Sequence, residues 1–260
     1  RLSMDLKNTL NSYFDAVYVI SLKRAKERVS YIRKELKGLD YEVFWGVDGQ
    51  DLTYEDLIEK GAYDSVNAKK LRHDHNNLTI NEIGCALSHL NIYKDFLSKS
   101  YDRVLILEDD ATIVNQSSVN LMEAFRELPE DWDSLYLGYE DKKLINHFSI
   151  ILRIYLIYPI LYTLNPDRFN PAKFKRRFTR SYSKSLDISG YHYGTHAYGL
   201  SRKGAEKLLS YQTPVIQAAD HAMATLCIEG KMNSYNLKEP IFKQNRHDFK
   251  SMIRESGKEV

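Results

Sequence analysis

Short apolar, β-branched runs alternate with segments of helical spacing along most of this chain, and that alternation limits its fold more than any other feature. "AVYVISL" (16–22) has the make-up of a strand buried on both faces, and "KRAKERVSYIRKELKG" after it sets Val29, Ile32 and Leu36 on one side of a helix. "YEVFWGV" (41–47) reads as a second strand, closed by the turn dipeptide Asp48-Gly49. "LTINEIGCALSHLNIYKDFL" opens on Thr79 with Glu82 three residues later, a capping box, and continues as a mostly apolar helix. "RVLILEDD" is the next strand, "SSVNLMEAFRELP" a helix stopped by Pro129, and "DSLYLGY" a further strand. After an interruption at about 142–186, "HAYGLS" reads as a strand, with "RKGAEKLLSY" and "AADHAMATLCIEG" as helices. Strands alternating with helices predict an α/β domain, with a mostly parallel sheet covered on both faces. All 260 residues are read as one such domain, and 43% hydrophobic residues suffice for its core.

Composition narrows the function. The 37 Lys and Arg against 35 Asp and Glu leave +2, which argues against a surface built for nucleic acid. Cys85 and Cys227 make neither a disulfide framework nor a metal knuckle, so the expected setting is a reducing one. "RLSMDLKNTL" lacks the apolar core of a signal peptide, and no run reaches the roughly 18 apolar residues of a membrane span. Cytoplasmic location is the expectation.

Chemistry gathers at the ends of the strands. Glu108, Asp109 and Asp110 follow "RVLIL" directly, and ligands of open α/β sheets bind where strands end. Three adjacent carboxylates repel one another unless a cation opposes them, and Mg²⁺ or Mn²⁺ takes one or two carboxylates while phosphate oxygens complete its shell. Alone, the triplet reads equally as a solvated turn. Asp48, Glu140 after "LYLGY", and Arg24 with Arg28 after the first strand would share the same edge of a parallel sheet, offering cations for phosphate beside acids for metal. Glu82 and His89 lie seven residues apart on one helix face, where His89 reads equally as a buried, hydrogen-bonded core residue.

Seven stretches, "VYVISLKRAKER", "FWGVDGQDL", "LTINEIGCALSHLNIYK", "VLILEDDA", "WDSLYLG", "GTHAYGLSRKGAEKLL" and "AADH", resemble glycosyltransferase family 25 in the family's order. That family contains lipopolysaccharide and lipooligosaccharide galactosyltransferases and collagen galactosyltransferase domains. The resemblance implies a GT-A fold, a UDP-sugar donor and a divalent metal. Glu-Asp-Asp would stand for the DxD motif, with Asp110, and Glu108 as a further candidate, on the metal, and Glu108 or Asp109 orienting the ribose or the metal's waters. It also implies a donor-binding set of Ser21, Leu22, Arg24, Arg28, Asp48, Glu82, Ser88, His89 and His196, with His247 as a late metal ligand.

Inverting transfer requires a base to take the acceptor proton. Asp220 is the first candidate and Glu140 the second, while Asp220 reads also as the cap of the following helix. The donor sugar is expected to be galactose, with glucose or N-acetylhexosamine as alternatives, and the acceptor lipooligosaccharide or another oligosaccharide. A carbohydrate- or nucleotide-binding protein without turnover is the other class of answer. In the interruption, "FSIILRIYLIYPILY" carries one charge and "KFKRRFTR" five cations and two phenylalanines. Residues 148–180 therefore suit either peripheral contact with the anionic inner face of the cytoplasmic membrane or a buried helix and a solvated loop.

Overall fold

The computed structural model describes residues 2–140, 152–164 and 170–249. The first four residues of the "FSIILRIYLIYPILY" stretch, 148–151, lie outside them. In chain order the strands are β1 (Ala16–Ser21), β2 (Glu42–Trp45), β3 (Arg103–Glu108), β4 (Ala111–Ile113), β5 (Ser134–Glu140), β6 (Arg180–Ser181), β7 (Leu186–Ile188), β8 (Tyr193–Ser201), β9 (Ser234–Leu237) and β10 (Phe242–Gln244). The helices are α1 (Met4–Tyr13), α2 (Lys26–Glu35), α3 (Tyr54–Glu59), α4 (Ser65–Leu71), α5 (Ile80–Ser98), α6 (Ser118–Glu127), α7 (Tyr158–Leu164), α8 (Pro171–Arg176), α9 (Arg202–Tyr211) and α10 (Ala219–Glu229).

Eight strands form one sheet in the order β2-β1-β3-β8-β5-β9-β7-β6. Six of them point the same way, and β8 and β7 run against them. The mostly parallel α/β sheet expected from the alternation of elements is present. The strand expected at "HAYGLS" is β8, but the alternation does not reveal its place: it is inserted antiparallel between β3 and β5 and opposes Leu107 with Ala197.

Period-two geometry sends successive strand residues to opposite faces, so each apolar run feeds two cores. Val17, Val19, Leu105, Leu107, Leu135 and Leu137 pack with Leu6 and Leu10 of α1, Ile32 of α2 and Leu121 of α6. Tyr18, Val104, Ile106 and Tyr136 pack on the other side with Ile83 and Ile92 of α5, Leu208 of α9 and Met223 of α10. Burying each such Leu or Ile contributes roughly 1.5–3 kcal/mol. This explains why "VLIL" is apolar without alternation.

The expected capping box is formed: Thr79 Oγ1 accepts from Glu82 N, and Glu82 Oε2 accepts from Thr79 N at 2.7 Å. Within the interruption, α7 has no buried side chain, and Ile160 and Leu164 are 66% and 77% exposed. The alternative of a buried core helix there is thereby corrected. Among the described residues no helix is long and apolar enough to cross a membrane.

Candidate functional site

The carboxyl ends of β1, β2 and β3 open onto a cleft walled by the first half of α5. Two glycines allow that approach. A Cβ on Gly84 would come within 2.9 Å of the Val47 carbonyl oxygen, and one on Gly49 within 2.2 Å of Asn81 Oδ1. Ser88 then ties the helix to the loop: its hydroxyl donates to Gly84 O at 2.7 Å and accepts from Val47 N at 2.8 Å. The "EIGCALSH" segment is thus built to let a helix lie against the end of β2.

Asp109 and Asp110 are 5% and 3% exposed and share one guanidinium. Arg28 Nη1 donates to Asp109 Oδ1 at 2.9 Å and to Asp110 Oδ2 at 3.2 Å. Ser21 Oγ donates to the other Asp109 oxygen, and Gln244 Nε2 to Asp110 Oδ2 at 3.1 Å. The backbone of Asn245 donates to Asp110 O at 2.8 Å, so the segment after β10 holds the acid turn in place. Asp110 Oδ1 is buried and has no hydrogen-bond partner among the described residues. Burial, and then the Glu108 carboxylate, push the Asp110 carboxyl up to about 7 against the partial relief from Arg28. Burial likewise raises Asp109, with Ser21 and Arg28 opposing it.

Glu108 has the opposite balance. Burial raises it, but the His89 ring, the Thr195 hydroxyl and His196 together hold it below the usual carboxylate range. Thr195 Oγ1 donates to Glu108 Oε1 at 2.7 Å, and His89 Nε2 lies 3.8 Å from the same oxygen. His89 Nδ1 meets the Tyr198 hydroxyl at 2.7 Å, which in turn meets Tyr93 at 2.8 Å, so His89 is oriented by the core and faces the acids. His196 is buried, neither ring nitrogen has a hydrogen-bond partner among the described residues, and burial lowers its pKa.

Ile20, Leu22, Arg24, Arg28, Asp48, Asn81, Cys85, Ser88, His89, the three acids and Gln244 line the cleft together. Arg24 pairs with Asp48, which also caps the turn Gly49–Asp51. Burial raises Asp48, yet Arg24 and the Gln50 N–H outweigh it and hold the carboxyl low. Ser21 joins the set from behind, through Asp109.

Other candidates lie apart. Glu82 does not line the cleft, because the capping box and Arg72 Nη1 at 2.8 Å occupy its carboxylate. Glu140 pairs with Arg246 at 2.8 Å. Asp220 is not the cap of its helix: Ala218 holds that position, and Asp220 sits in the first turn, accepting from Gly194 N at 3.2 Å and His221 N at 2.8 Å. The His247 side chain is 95% exposed, meets Asp248 at 2.8 Å and does not line the cleft. Its expected place as a third ligand is not formed, since the short segment after β10 turns it to solvent.

Asn81, Cys85, Thr195 and Gln244 are not among the site residues expected from the sequence. Thr195 stands next to His196 in a quoted stretch and Asn81 and Cys85 lie on the motif helix, whereas Gln244 follows no pattern that marks it. Among the described residues no three His, Cys, Asp or Glu side chains are grouped to hold a metal. What is present is Asp110 with an open buried oxygen beside Glu108, a two-carboxylate set that suits an ion completing its shell with phosphate oxygens.

Fold and site define an α/β protein with a polar cleft at the carboxyl edge of its sheet, where basic side chains meet acids at the end of β3. The chain belongs to glycosyltransferase family 25: the family description "Glycosyltransferase family 25 (LPS biosynthesis protein)" matches residues 14–223. It is similar to a "Glycosyltransferase 25 family member" of Drosophila melanogaster, 29% identical over 75% of this chain and 28% of that protein. It is similar to "Procollagen galactosyltransferase 2" of Mus musculus, 27% identical over 48% of this chain and 21% of that protein. "Probable inactive glycosyltransferase 25 family member 3" of Rattus norvegicus is 28% identical over 76% of this chain and 30% of that protein. The chain thus spans 21–30% of the length of these relatives.

Proposed function

We propose that this chain is an inverting glycosyltransferase that moves a hexose, galactose from UDP-galactose first among the donors, onto a saccharide acceptor such as lipooligosaccharide. The observation that carries the reading is the buried carboxylate of Asp110, raised to about 7 beside Glu108, with one oxygen that has no hydrogen-bond partner among the described residues. A site arranged in this way stores unbalanced negative charge until a cation and a phosphate group arrive together.

In the reaction an acceptor hydroxyl attacks the anomeric carbon, the bond from that carbon to the diphosphate oxygen breaks, and the hydroxyl proton passes to a base. Arg24, just after β1, and Arg28, on α2, would face the leaving diphosphate, a role that their pairing with Asp48 and the acid turn at the cleft supports. Asp110 and Glu108 would hold Mn²⁺ or Mg²⁺, which when bound supplies Lewis-acid stabilisation of the diphosphate. Asp220 remains the first base candidate, because two backbone N–H groups fix its carboxylate next to the start of β8. Glu140 is the second, held by Arg246. The exposed apolar side chains of α7 and the cations of α8 support a peripheral contact with an anionic lipid surface near the acceptor.

A panel of UDP-sugars with and without Mn²⁺ tests the reading, with sugar transfer and donor hydrolysis as readouts. Asp220→Asn and Glu140→Gln separate the bases: the true one loses transfer while donor binding persists. If no UDP-sugar binds or turns over with either metal, the proposal fails. The second reading, a saccharide- or nucleotide-binding protein without turnover, is favoured by the name "inactive" borne by three relatives. Donor binding without any hydrolysis or transfer would select it.

A further inference from the structure

Beside the donor cleft, on the outer side of α2, lies a second concavity with a volume of about 550 Å³. Lys23, Lys26, Arg33, Lys34 and Lys37 line it together with the ring of Trp45, and no acid does. Residues 26, 30 and 33 follow one another at helical spacing on α2 and form one stripe, which Lys37 continues in the turn after the helix; Val29 lies at the floor of the concavity, while Arg28 and Ile32 turn inward. Among the described residues none of the five cations makes an ion pair. Glu27, in the first turn of α2, does not line the concavity, and Glu35 and Glu42 are directed elsewhere. Glu35 accepts from Thr112 Oγ1 at 3.1 Å and from Ile113 N at 3.0 Å on β4. Glu42 stands opposite Tyr18 on the other face of the sheet, whereas Trp45 stands opposite Ser21 on the face that α2 covers.

Like charges at this spacing repel one another, and cations at the start of a helix oppose its dipole. Lys23 and Lys26 occupy that unfavourable end, where Glu27 is the one acid of the first turn and Ala25 supplies no side-chain cap. Five unpaired cations around a concave surface, with an aromatic ring 45% exposed on its wall, make a focused positive field with one flat apolar contact.

We propose that this groove is a second anion site, separate from the donor cleft, which takes the phosphate group of a phosphorylated saccharide or of a lipid headgroup. Lysines and Arg33 hold the phosphate oxygens by charge-assisted hydrogen bonds, and Trp45 packs against the body of the molecule that carries them. The site is independent of sugar transfer: Arg24, Arg28 and the acid turn have no part in it.

Trp45 also provides the readout, because the other tryptophan, Trp132, is 7% exposed. The full chain is titrated at low salt with inorganic pyrophosphate and, in a separate arm, with vesicles of phosphatidylcholine containing phosphatidylglycerol. The fluorescence change is followed alongside calorimetry or cosedimentation. A Lys26→Ala/Arg33→Ala/Lys37→Ala variant is expected to bind at least about tenfold more weakly in whichever arm the wild type binds, and salt near 0.3 M to weaken the wild type as screening predicts. Trp45→Phe is expected to lose the fluorescence change and keep measurable binding. Lys37→Glu alone, at an exposed position, gives the same direction if the triple variant does not fold. Loss in the pyrophosphate arm assigns a soluble phosphate ligand, and loss in the vesicle arm alone assigns a headgroup. Unchanged affinity in both variants places the bound anion in the donor cleft and overturns the proposal, as does the absence of binding in both arms at low salt.

Discussion

Replacing Asp110 with Asn should make the metal-free protein more stable at alkaline pH while removing its function. In the folded protein the Asp110 carboxyl is raised from 3.8 to about 7 by burial and by Glu108. Between those values the folded chain keeps a proton that the unfolded chain has released, so this group's stabilisation is complete below about pH 4 and is lost as pH rises through 7. At about 1.4 kcal/mol per pH unit, the loss amounts to about 4 kcal/mol over the whole window and about 2 kcal/mol between pH 5.5 and 8. The side chain is 4% exposed, so solvent screening reduces this little. Asparagine carries no charge to destabilise, but its N–H₂ would fall where Oδ1 now has no partner, which costs about 1–3 kcal/mol. The variant should therefore be about 1–3 kcal/mol more stable than wild type at pH 8, with most of that advantage gone at pH 5.5. Urea unfolding of both proteins in a chelator, at the two pH values, measures the difference. A variant that is less stable at pH 8 and keeps the wild-type pH slope would refute the account of the acid turn.

Two further substitutions probe its support. Arg28→Met removes the one guanidinium shared by Asp109 and Asp110, and should cost about 3 kcal/mol in urea unfolding at pH 8, since it leaves buried charge uncompensated. The cost should shrink at pH 5.5 as Asp110 takes a proton, and an equal cost at both values would contradict the assigned pairing. Thr79→Ala deletes the cap of α5 and should cost about 1 kcal/mol, lowering the melting temperature by roughly 2–4 °C in a chain of this size. An unchanged melting temperature would mean that Glu82 and Arg72 alone fix the helix start.

Much of this architecture is local information. Apolar runs at period two or without period marked β1, β2, β3, β5 and β8, and the Thr79–Glu82 pair marked the start of α5, because backbone hydrogen bonding and side-chain spacing act within a few residues. The acids at the end of β3 and the arginines at the end of β1 were also recognisable, since a parallel pairing of those strands puts both ends on one edge. β9, β10 and the short strands β6 and β7 had no such mark: they are three or four residues long or shorter, and their partners make them strands.

Only the tertiary structure decided which charges meet. One arginine rather than two turns inward to the acid turn, because Arg28 shares the buried side of α2 with Val29 and Ile32 while Arg24 reaches Asp48. The antiparallel insertion of β8 sets Thr195 and His196 against Glu108, and β10, paired with β4, brings Gln244 to Asp110 across 134 positions of sequence. Sequence by itself determined the elements and the residue types at their ends. The pairing of the charges, and with it the carboxylate left open at Asp110, follows from strand order and burial, which are long-range outcomes that no local pattern encodes.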